Sequence, residues 1–199
     1  SLTTNNSGSN NTFVAGTNIE IEASSDQNGL TYNFSVGATN FKTITPAGAT
    51  ASFTASGSDL DILTGQGVLK VEASSSAGLC LKDEEIPFTI FNFSSGSIAG
   101  DQSKCSNQTP NTLISASLAT TDISSVTLAY VWQTATNATF TANLLTTPVT
   151  SSNYVFSSSI ATTTFFRRKV TASLSGVSSF SYSNAVSVTI IEAPTNLSL

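Results

Sequence analysis

Leu128-Ala129-Tyr130-Val131-Trp132 repeats the pattern of Leu30-Thr31-Tyr32-Asn33-Phe34, which begins 98 residues earlier. Lys70-Val71-Glu72-Ala73-Ser74 returns in the same order as Lys169-Val170-Thr171-Ala172-Ser173, at an offset of 99 residues. Nearly constant offsets between motifs in the same order indicate two copies of one domain. A self-similar array is typical of a spacer or binding rod, because each copy reproduces a shape and adds nothing to a shared active site.

Both copies are built from short segments with the period of a β-strand. Ile19–Ala23 alternates apolar and charged residues, and Leu30, Tyr32 and Phe34 fall on one face of the next segment. Clusters of Ser, Thr, Gly, Asn and Pro separate the segments, and no stretch has a capped helical period. The predicted strands are Ile19–Ala23, Leu30–Val36, Val68–Ala73, Ile86–Phe93, Thr112–Leu118, Val126–Gln133, Tyr154–Phe156, Thr164–Ser173 and Asn184–Ile191.

This pattern predicts an all-β chain of two tandem immunoglobulin-like antiparallel β-sandwich domains. The first domain covers residues 1–93 and begins with a polar, low-complexity stretch over 1–12 that is typical of a linker. The second domain covers residues 94–193, and residues 194–199 begin the next linker or repeat. Asp26-Gln27-Asn28-Gly29 is predicted as a turn, with Gly29 in the left-handed conformation.

Trp132 is the only tryptophan and lies where immunoglobulin-like sandwiches bury a large aromatic side chain. Phe34 occupies the matching place in the first copy, so both are predicted core residues, together with Tyr32 and Tyr130. The alternative is an exposed Trp132 that stacks on a sugar.

Composition excludes several classes of function. The chain contains no His, which rules out a Ser-His-Asp triad and any zinc site that uses His, and two Cys cannot make a four-Cys zinc site. The net charge of −5 and the single basic cluster, Arg167-Arg168-Lys169, argue against nucleic acid as a partner. No apolar run approaches the ~18 residues of a membrane span.

Several motifs of the second copy resemble an immunoglobulin-like repeat of very large surface adhesins from gliding and biofilm-forming Bacteroidota. They are GSIAGDQSKCSNQTPNTLISAS (96–117), LAYVWQ (128–133), TTTFFRRKVTAS (162–173) and SYSNAVSVTI (181–190). The second copy fits throughout, with Phe165-Phe166 in place of a Tyr pair, whereas the first copy fits mainly at 30–34 and 70–74.

The resemblance implies a secreted protein of the bacterial cell surface, associated with the outer membrane and exported by the type IX route. In that family many such repeats form a stalk that carries adhesive regions, and some members produce gliding motility. The implied partners are neighbouring repeats of the same chain and a surface ligand, such as a polysaccharide, that the sequence does not identify.

The resemblance also implies two Cys per repeat, of which each copy keeps one. Cys105 holds the first position in the second copy, and Cys80 holds the second position in the first copy. Three states stay open: a Cys80–Cys105 disulfide, disulfides to neighbouring repeats, or two free thiols. The direct pair requires the second domain to fold back, because a strand separates Cys80 from the junction.

Acidic pairs offer the only metal candidates. Asp59, Asp61, Asp83 and Glu84 lie in loop-like stretches and carry oxygen ligands suited to Ca²⁺, while solvated loops are the simpler interpretation. No other cofactor is expected. Within Arg167-Arg168-Lys169, alternation turns at least one cation inward, with Trp132 as a candidate cation–π partner.

The sequence therefore favours a non-catalytic stalk or adhesive segment of a bacterial surface adhesin, since no acid–base pair forms a defined constellation. One alternative is a carbohydrate-binding or spacer module of a secreted enzyme, which requires Tyr154, Phe156, Phe180 or Tyr182 to form an exposed row. Another is a viral decoration or fibre domain.

Overall fold

The computed structural model describes residues 1–75 and 82–192. Within them the chain forms two compact units. The first comprises Ser1–Asn92 with Asp122–Val126 and Leu174–Val177, and the second comprises Phe93–Thr121, Thr127–Ser173 and the chain from Ser178 onward.

The first unit contains two β-sheets and one short helix. Its elements are β1 (Leu2–Thr4), a 3-10 turn (Ser7–Ser9), β2 (Thr12–Val14), β3 (Ile19–Ser24), β4 (Thr31–Val36), β5 (Thr39–Ile44), β6 (Thr50–Ala55), α1 (Ser58–Ile62), β7 (Gly65–Ser74) and β8 (Lys82–Phe91). One sheet has the order β1-β3-β6 and the other β2-β8-β7-β4-β5. Apolar side chains at alternate positions of these strands form the core, including Ile21, Tyr32, Phe34 and Leu69.

The second unit contains one large sheet and two short pairs of strands. Its elements are β9 (Phe93–Ser94), β10 (Ser97–Ala99), β11 (Gln102–Cys105), β12 (Ile114–Ser117), β13 (Thr120–Thr121), β14 (Thr127–Ala135), β15 (Leu145–Thr146), β16 (Thr164–Leu174), β17 (Val177–Tyr182) and β18 (Val186–Ile191). The large sheet has the order β11-β18-β16-β14-β15, and β17 pairs with β16. Its core contains Ile98, Leu113, Trp132, Phe166 and Val188.

Most strand pairs are antiparallel, but each unit joins an early strand to its last strand in parallel. In the first unit β2 runs parallel to β8, with Thr12 opposite Thr89 and Val14 opposite Phe91. In the second unit β11 runs parallel to β18, from Gln102 opposite Val188 to Cys105 opposite Ile191. The two units therefore share this pairing as well as the sequence motifs.

Residues 1–12, predicted as a linker, belong to the first unit. β1 pairs antiparallel with β3, and Leu2 is buried. The polar residues are accommodated by hydrogen bonds: Thr4 Oγ1 donates to Asn11 Oδ1 at 2.7 Å, and Asn11 Nδ2 donates to the Pro87 carbonyl at 2.9 Å. The polar composition of this segment indicated a linker. Polar side chains can be buried where they form hydrogen bonds, so the segment joins the unit without an apolar sequence pattern.

Two further predictions concern local structure. Gly29 has a φ of 73°, the left-handed conformation expected for the predicted turn. Tyr154–Phe156 is not a strand, because only Tyr154 forms an isolated bridge, to Leu113. Residues 76–81 and 193–199, which include Cys80 and nearly all of the predicted exit segment, lie outside the described residues.

Candidate functional site

The basic cluster sits on β16, where alternation divides it between the two faces of the sheet. Phe166, Arg168 and Val170 are buried, and Arg167 and Lys169 point to the opposite face. β17 presents Phe180 and Tyr182, whose side chains are exposed by 53% and 36%. The outer face of this hairpin therefore combines two cations with two exposed aromatic rings.

The cations and rings on this face contact one another directly. The Arg167 guanidinium carbon lies 3.7 Å from the ring centre of Tyr182 and 4.2 Å from that of Phe140. Lys169 Nζ lies 4.1 Å from the ring centre of Phe180. The Phe180 and Tyr182 rings are 5.5 Å apart at an angle of 66°. We name these five residues (Phe140, Arg167, Lys169, Phe180 and Tyr182) the cation–aromatic face.

The loop after β14 fixes Phe140 beneath Arg167. Phe140 has a φ of 57°, a conformation that costs a bulky residue free energy. Asn137 holds the loop, because its Oδ1 accepts hydrogen bonds from the backbone N–H groups of Thr141 at 3.0 Å and Ala142 at 3.3 Å. Arg167 Nε donates to Gln133 Oε1 at 2.9 Å. Arg167 is thus oriented from the sheet, the loop and β17.

Arg168 is completely buried and makes its contacts on the inner side of the sheet. Its Nη1 donates to Ser115 Oγ at 2.8 Å and to the Ser152 carbonyl at 2.9 Å. Its Nη2 donates to the carbonyls of Ser95 at 2.8 Å and Ser117 at 3.3 Å. Burial lowers the pKa of Arg168 from its ordinary value. The side chain joins β16 to three other segments through neutral acceptors.

The aromatic partner of Arg168 is Tyr130, whereas the sequence suggested Trp132 as a candidate partner for the inward-facing cation. The Arg168 guanidinium carbon lies 5.0 Å from the Tyr130 ring centre, and Tyr130, predicted as a core residue, is only half-buried. Trp132 faces the same interior across the β14–β16 pairing, directly opposite Arg168. Its indole Nε1 donates instead to the Ser151 carbonyl at 2.9 Å.

The four aromatic residues proposed as an exposed row divide into two pairs, Tyr154 with Phe156 and Phe180 with Tyr182. The first pair lies near Trp132. Trp132, predicted as a core residue, has no exposed surface, and its ring lies 5.4 Å from that of Tyr154. Tyr154 and Phe156 pack against Phe166, with ring centres 5.3 Å from it in both cases. Burial raises the pKa of the Tyr154 hydroxyl. Of the four, Phe180 and Tyr182 are exposed, whereas Tyr154 and Phe156 are half-buried.

The acidic metal candidates do not converge. Asp59 pairs with Lys42 at 3.7 Å, and Asp83 pairs with Lys70 at 2.9 Å, while Asp61 is exposed. Asp83 and Glu84 line an open cavity of about 700 Å³ in the first unit, together with Asp26. Across residues 1–75 and 82–192, no group of three or more Asp, Glu or Cys side chains could share a metal ion.

Cys105 ends β11, is exposed and forms no disulfide within the described residues. The pairing of Cys80 is not described, so the three predicted redox states remain predictions. In the part of the chain that the structure describes, no helix is long and apolar enough to cross a membrane.

Sequence comparison matches the second copy to a family model. Residues 94–192 match the model described as "Domain of unknown function (DUF8696)". The chain matches none of the curated proteins by sequence.

Solved structures resemble the chain over both units. The three N-terminal domains of the Highly Immunogenic Outer Capsid protein (Hoc) of bacteriophage RB49 are similar with a TM-score of 0.59 and 12% identity, covering 96% of this chain and 70% of that one. The fibronectin(III)-like modules of Clostridium thermocellum CbhA give a TM-score of 0.41 at 15% identity, with coverage of 100% and 98%. Titin domains I67–I69 give 0.45 at 10% identity, with coverage of 91% and 62%.

These comparisons concern the fold. The chain is all-β, with tandem immunoglobulin-like β-sandwich units, as the alternating strands and the repeat predicted.

Proposed function

We propose that the chain is a non-catalytic, force-bearing repeat segment of a large adhesin on the bacterial cell surface. In this proposal the protein is exported by the type IX route, and the two units form part of a stalk that serves attachment and gliding. The observation that carries the mechanical role is the parallel pairing of an early strand with the last strand in each unit.

Parallel end strands resist pulling because of the direction in which they are loaded. Tension on the two ends of a unit drives the early strand and the last strand in opposite directions along their common axis. The hydrogen bonds between the strands are then strained together, whereas an antiparallel hairpin pulled at its open end breaks them singly. In the first unit these bonds continue past β2, since Ala15 N–H donates to the Phe91 carbonyl at 2.8 Å.

A proline scan of β11 tests this mechanism. Ser106 N–H donates to the Ile191 carbonyl at 3.1 Å, and Cys105 N–H turns away to Gln108 Oε1 at 3.1 Å. Backbone N–H groups of β11 therefore point to β18 at every second residue. By this alternation the N–H group of Lys104 donates to β18, and that of Ser103 points away from it. Lys104→Pro removes a bond of the parallel pair, and Ser103→Pro is the matched control.

The measurement is single-molecule pulling of the 199-residue chain through tags at its two ends. We expect two unfolding events, of which one occurs at lower force in Lys104→Pro and at unchanged force in Ser103→Pro. Trp132 fluorescence verifies that both variants are folded. Equal unfolding forces in all three proteins would show that the parallel pair does not bear the tension.

The cellular part of the proposal is tested on the organism's own full-length polypeptide. Protease treatment of intact cells followed by peptide mapping is expected to release peptides of this segment from a chain of hundreds of kilodaltons with related repeats. Release only after lysis, or a short chain joined to a hydrolase, would refute the surface-stalk role.

A second candidate is a decoration domain on a viral capsid. The likeness to the Hoc outer capsid domains over 96% of the chain favours it at the level of the fold. Recovery of the segment from purified phage particles, and its absence from peptides shaved off cells, would select this function.

A further inference from the structure

We infer that the cation–aromatic face is a binding site for an acidic polysaccharide, one whose sugars carry carboxylate groups. The inference rests on the proposed adhesive role for its biological meaning, but the site is defined by the geometry of the second unit alone. It assigns a ligand class to a surface that neither the repeat nor the fold explains.

The two cations of this face lack anionic partners. Among the described residues the ion pairs are Lys42–Asp59 and Lys70–Asp83, so neither Arg167 nor Lys169 contacts a carboxylate there. Arg167 Nε is held by Gln133, which leaves the terminal guanidinium nitrogens without a protein acceptor in the described chain. Arg167 and Lys169 are two residues apart on one face of β16, so their Cα atoms are ~7 Å from each other. Arg167 and Lys169 are therefore available to bind a ligand that carries two negative groups.

The charge of the chain is distributed unevenly in a way that isolates this face. Residues 1–93 carry nine acidic and three basic side chains, a net charge of −6, whereas residues 94–199 carry three acidic and four basic ones, a net charge of +1. A polyanion is repelled by the chain as a whole. Binding at this face therefore depends on local contacts with Arg167 and Lys169, and general attraction does not supply it.

The rings narrow the ligand class. Phe180 is exposed by 53%, with Lys169 against its ring, and Tyr182 lies beside it. An exposed ring offers an apolar surface to the C–H face of a sugar, and a neighbouring ammonium or guanidinium group binds a carboxylate at the sugar's rim. A uronic acid carries both features in one residue, whereas an Asp or Glu side chain has no flat apolar face.

The geometry favours a glycan over single-stranded nucleic acid. Successive bases stack on aromatic platforms along a basic groove. Here the Phe180 and Tyr182 rings are inclined by 66°, and residues 94–199 have a net charge of only +1, so a row of stacked bases has neither platform nor groove.

The fixed position of Phe140 indicates that the face is preorganised. A phenylalanine at a φ of 57° is retained although it costs free energy, and its ring supports the guanidinium of Arg167 from beneath. An arginine held in this way loses little side-chain entropy when it binds an anion.

The test is an NMR titration of the 199-residue protein with a hexamer of uronic acid and, separately, with a neutral hexasaccharide of glucose. We expect the uronate hexamer to shift the amide signals of β16 and β17, with millimolar or tighter affinity, and the neutral hexamer to bind about tenfold more weakly. Lys169→Gln and Phe180→Ala each weaken uronate binding by about fivefold. Lys104→Gln, which removes a half-buried cation elsewhere on the same unit, leaves binding unchanged.

Three results would overturn the inference. They are no shift with the uronate, equal affinity for the two hexamers, or equal loss in Lys104→Gln. Equal binding of oligoglutamate or of single-stranded DNA would likewise assign the face to polyanions in general and refute a glycan site. Because the pulling experiment does not involve this face, the mechanical proposal and the binding site stand or fall separately.

Discussion

A single buried arginine organises the interior of the second unit. Arg168 donates four hydrogen bonds to Ser95, Ser115, Ser117 and Ser152, so one side chain takes up polar groups from three segments besides its own. Its Nε has no hydrogen-bond partner among the described residues. Removal of the guanidinium therefore leaves several buried acceptors unpaired, which costs more than the loss of an exposed contact.

The neighbouring arginine provides a control for the buried one. We expect Arg168→Met to lower the free energy of unfolding by about 3 kcal/mol or more, because it leaves buried carbonyl groups without donors. Arg167→Met removes the same group from the outer face and is expected to cost about 1 kcal/mol. Urea unfolding followed by Trp132 fluorescence measures both, and equal losses would contradict the role of Arg168.

The sequence predicts that one member of the basic cluster turns inward, but a further signal is needed to say which. Arg168 lies on the same face of β16 as three apolar residues, Phe166, Val170 and Ala172. The apolar residues before and after it in this alternation therefore identify Arg168 as the buried cation. Its partners could not be predicted, because Ser95 and Ser152 come from loops and Ser115 from a separate strand, and the sequence marks all three only as polar.

Strands with one apolar face can be predicted from the sequence, whereas edge strands cannot. Ile19–Ser24 and Thr164–Leu174 show clear alternation and lie within sheets. β5 and β15 lie at sheet edges, where exposure removes the apolar pattern. β17 was missed because its two aromatics face solvent and Ser residues alternate with them.

A glycine in β7 makes room for an aromatic ring. A Cβ at Gly67 would lie 2.7 Å from the Phe88 ring, and Phe88 faces Gly67 in the β7–β8 pair. We expect Gly67→Ala to lower stability by about 1–3 kcal/mol through this clash. Gly48→Ala, where no atom lies within 4 Å, is the control. Thermal unfolding by circular dichroism measures both, and unchanged stability in Gly67→Ala would show that the ring moves at little cost.

The β7–β8 pair also carries an exposed ion pair with a measurable pH dependence. The hydrogen bond from Lys70 lowers the pKa of Asp83 from 3.8, and the same bond raises the pKa of Lys70 from 10.5. The stabilisation is therefore fully present between those two ordinary values. It is lost as the pH falls through the lowered pKa of Asp83, or rises through the raised pKa of Lys70.

NMR titration of the Asp83 carboxyl group tests this assignment. In Lys70→Met we expect the Asp83 pKa to return towards 3.8, and in Lys82→Met, which removes an adjacent cation, to stay low. A normal Asp83 pKa in the unaltered protein would rule out the ion pair in solution.

At the scale of the whole molecule, the repeat predicts two units that each hold a separate core. The second core, which includes Ile98, Trp132 and Val188, consists of residues within 94–192. We expect residues 94–192 expressed alone to fold, with Trp132 shielded from water and one cooperative urea transition. Emission at the wavelength of a solvated tryptophan would show that this segment needs the rest of the chain.

The neutrality of the groups around Arg168 has a consequence for the surroundings in which the second unit stays folded. Three carbonyls and one hydroxyl hold the guanidinium, and none of them takes up a proton in acid. Carboxylate partners would be neutralised at low pH and would leave a buried cation behind. Salt also screens buried contacts far less than exposed ones. We therefore expect the hydrogen bonds around Arg168 to persist at acidic pH and at high salt concentration.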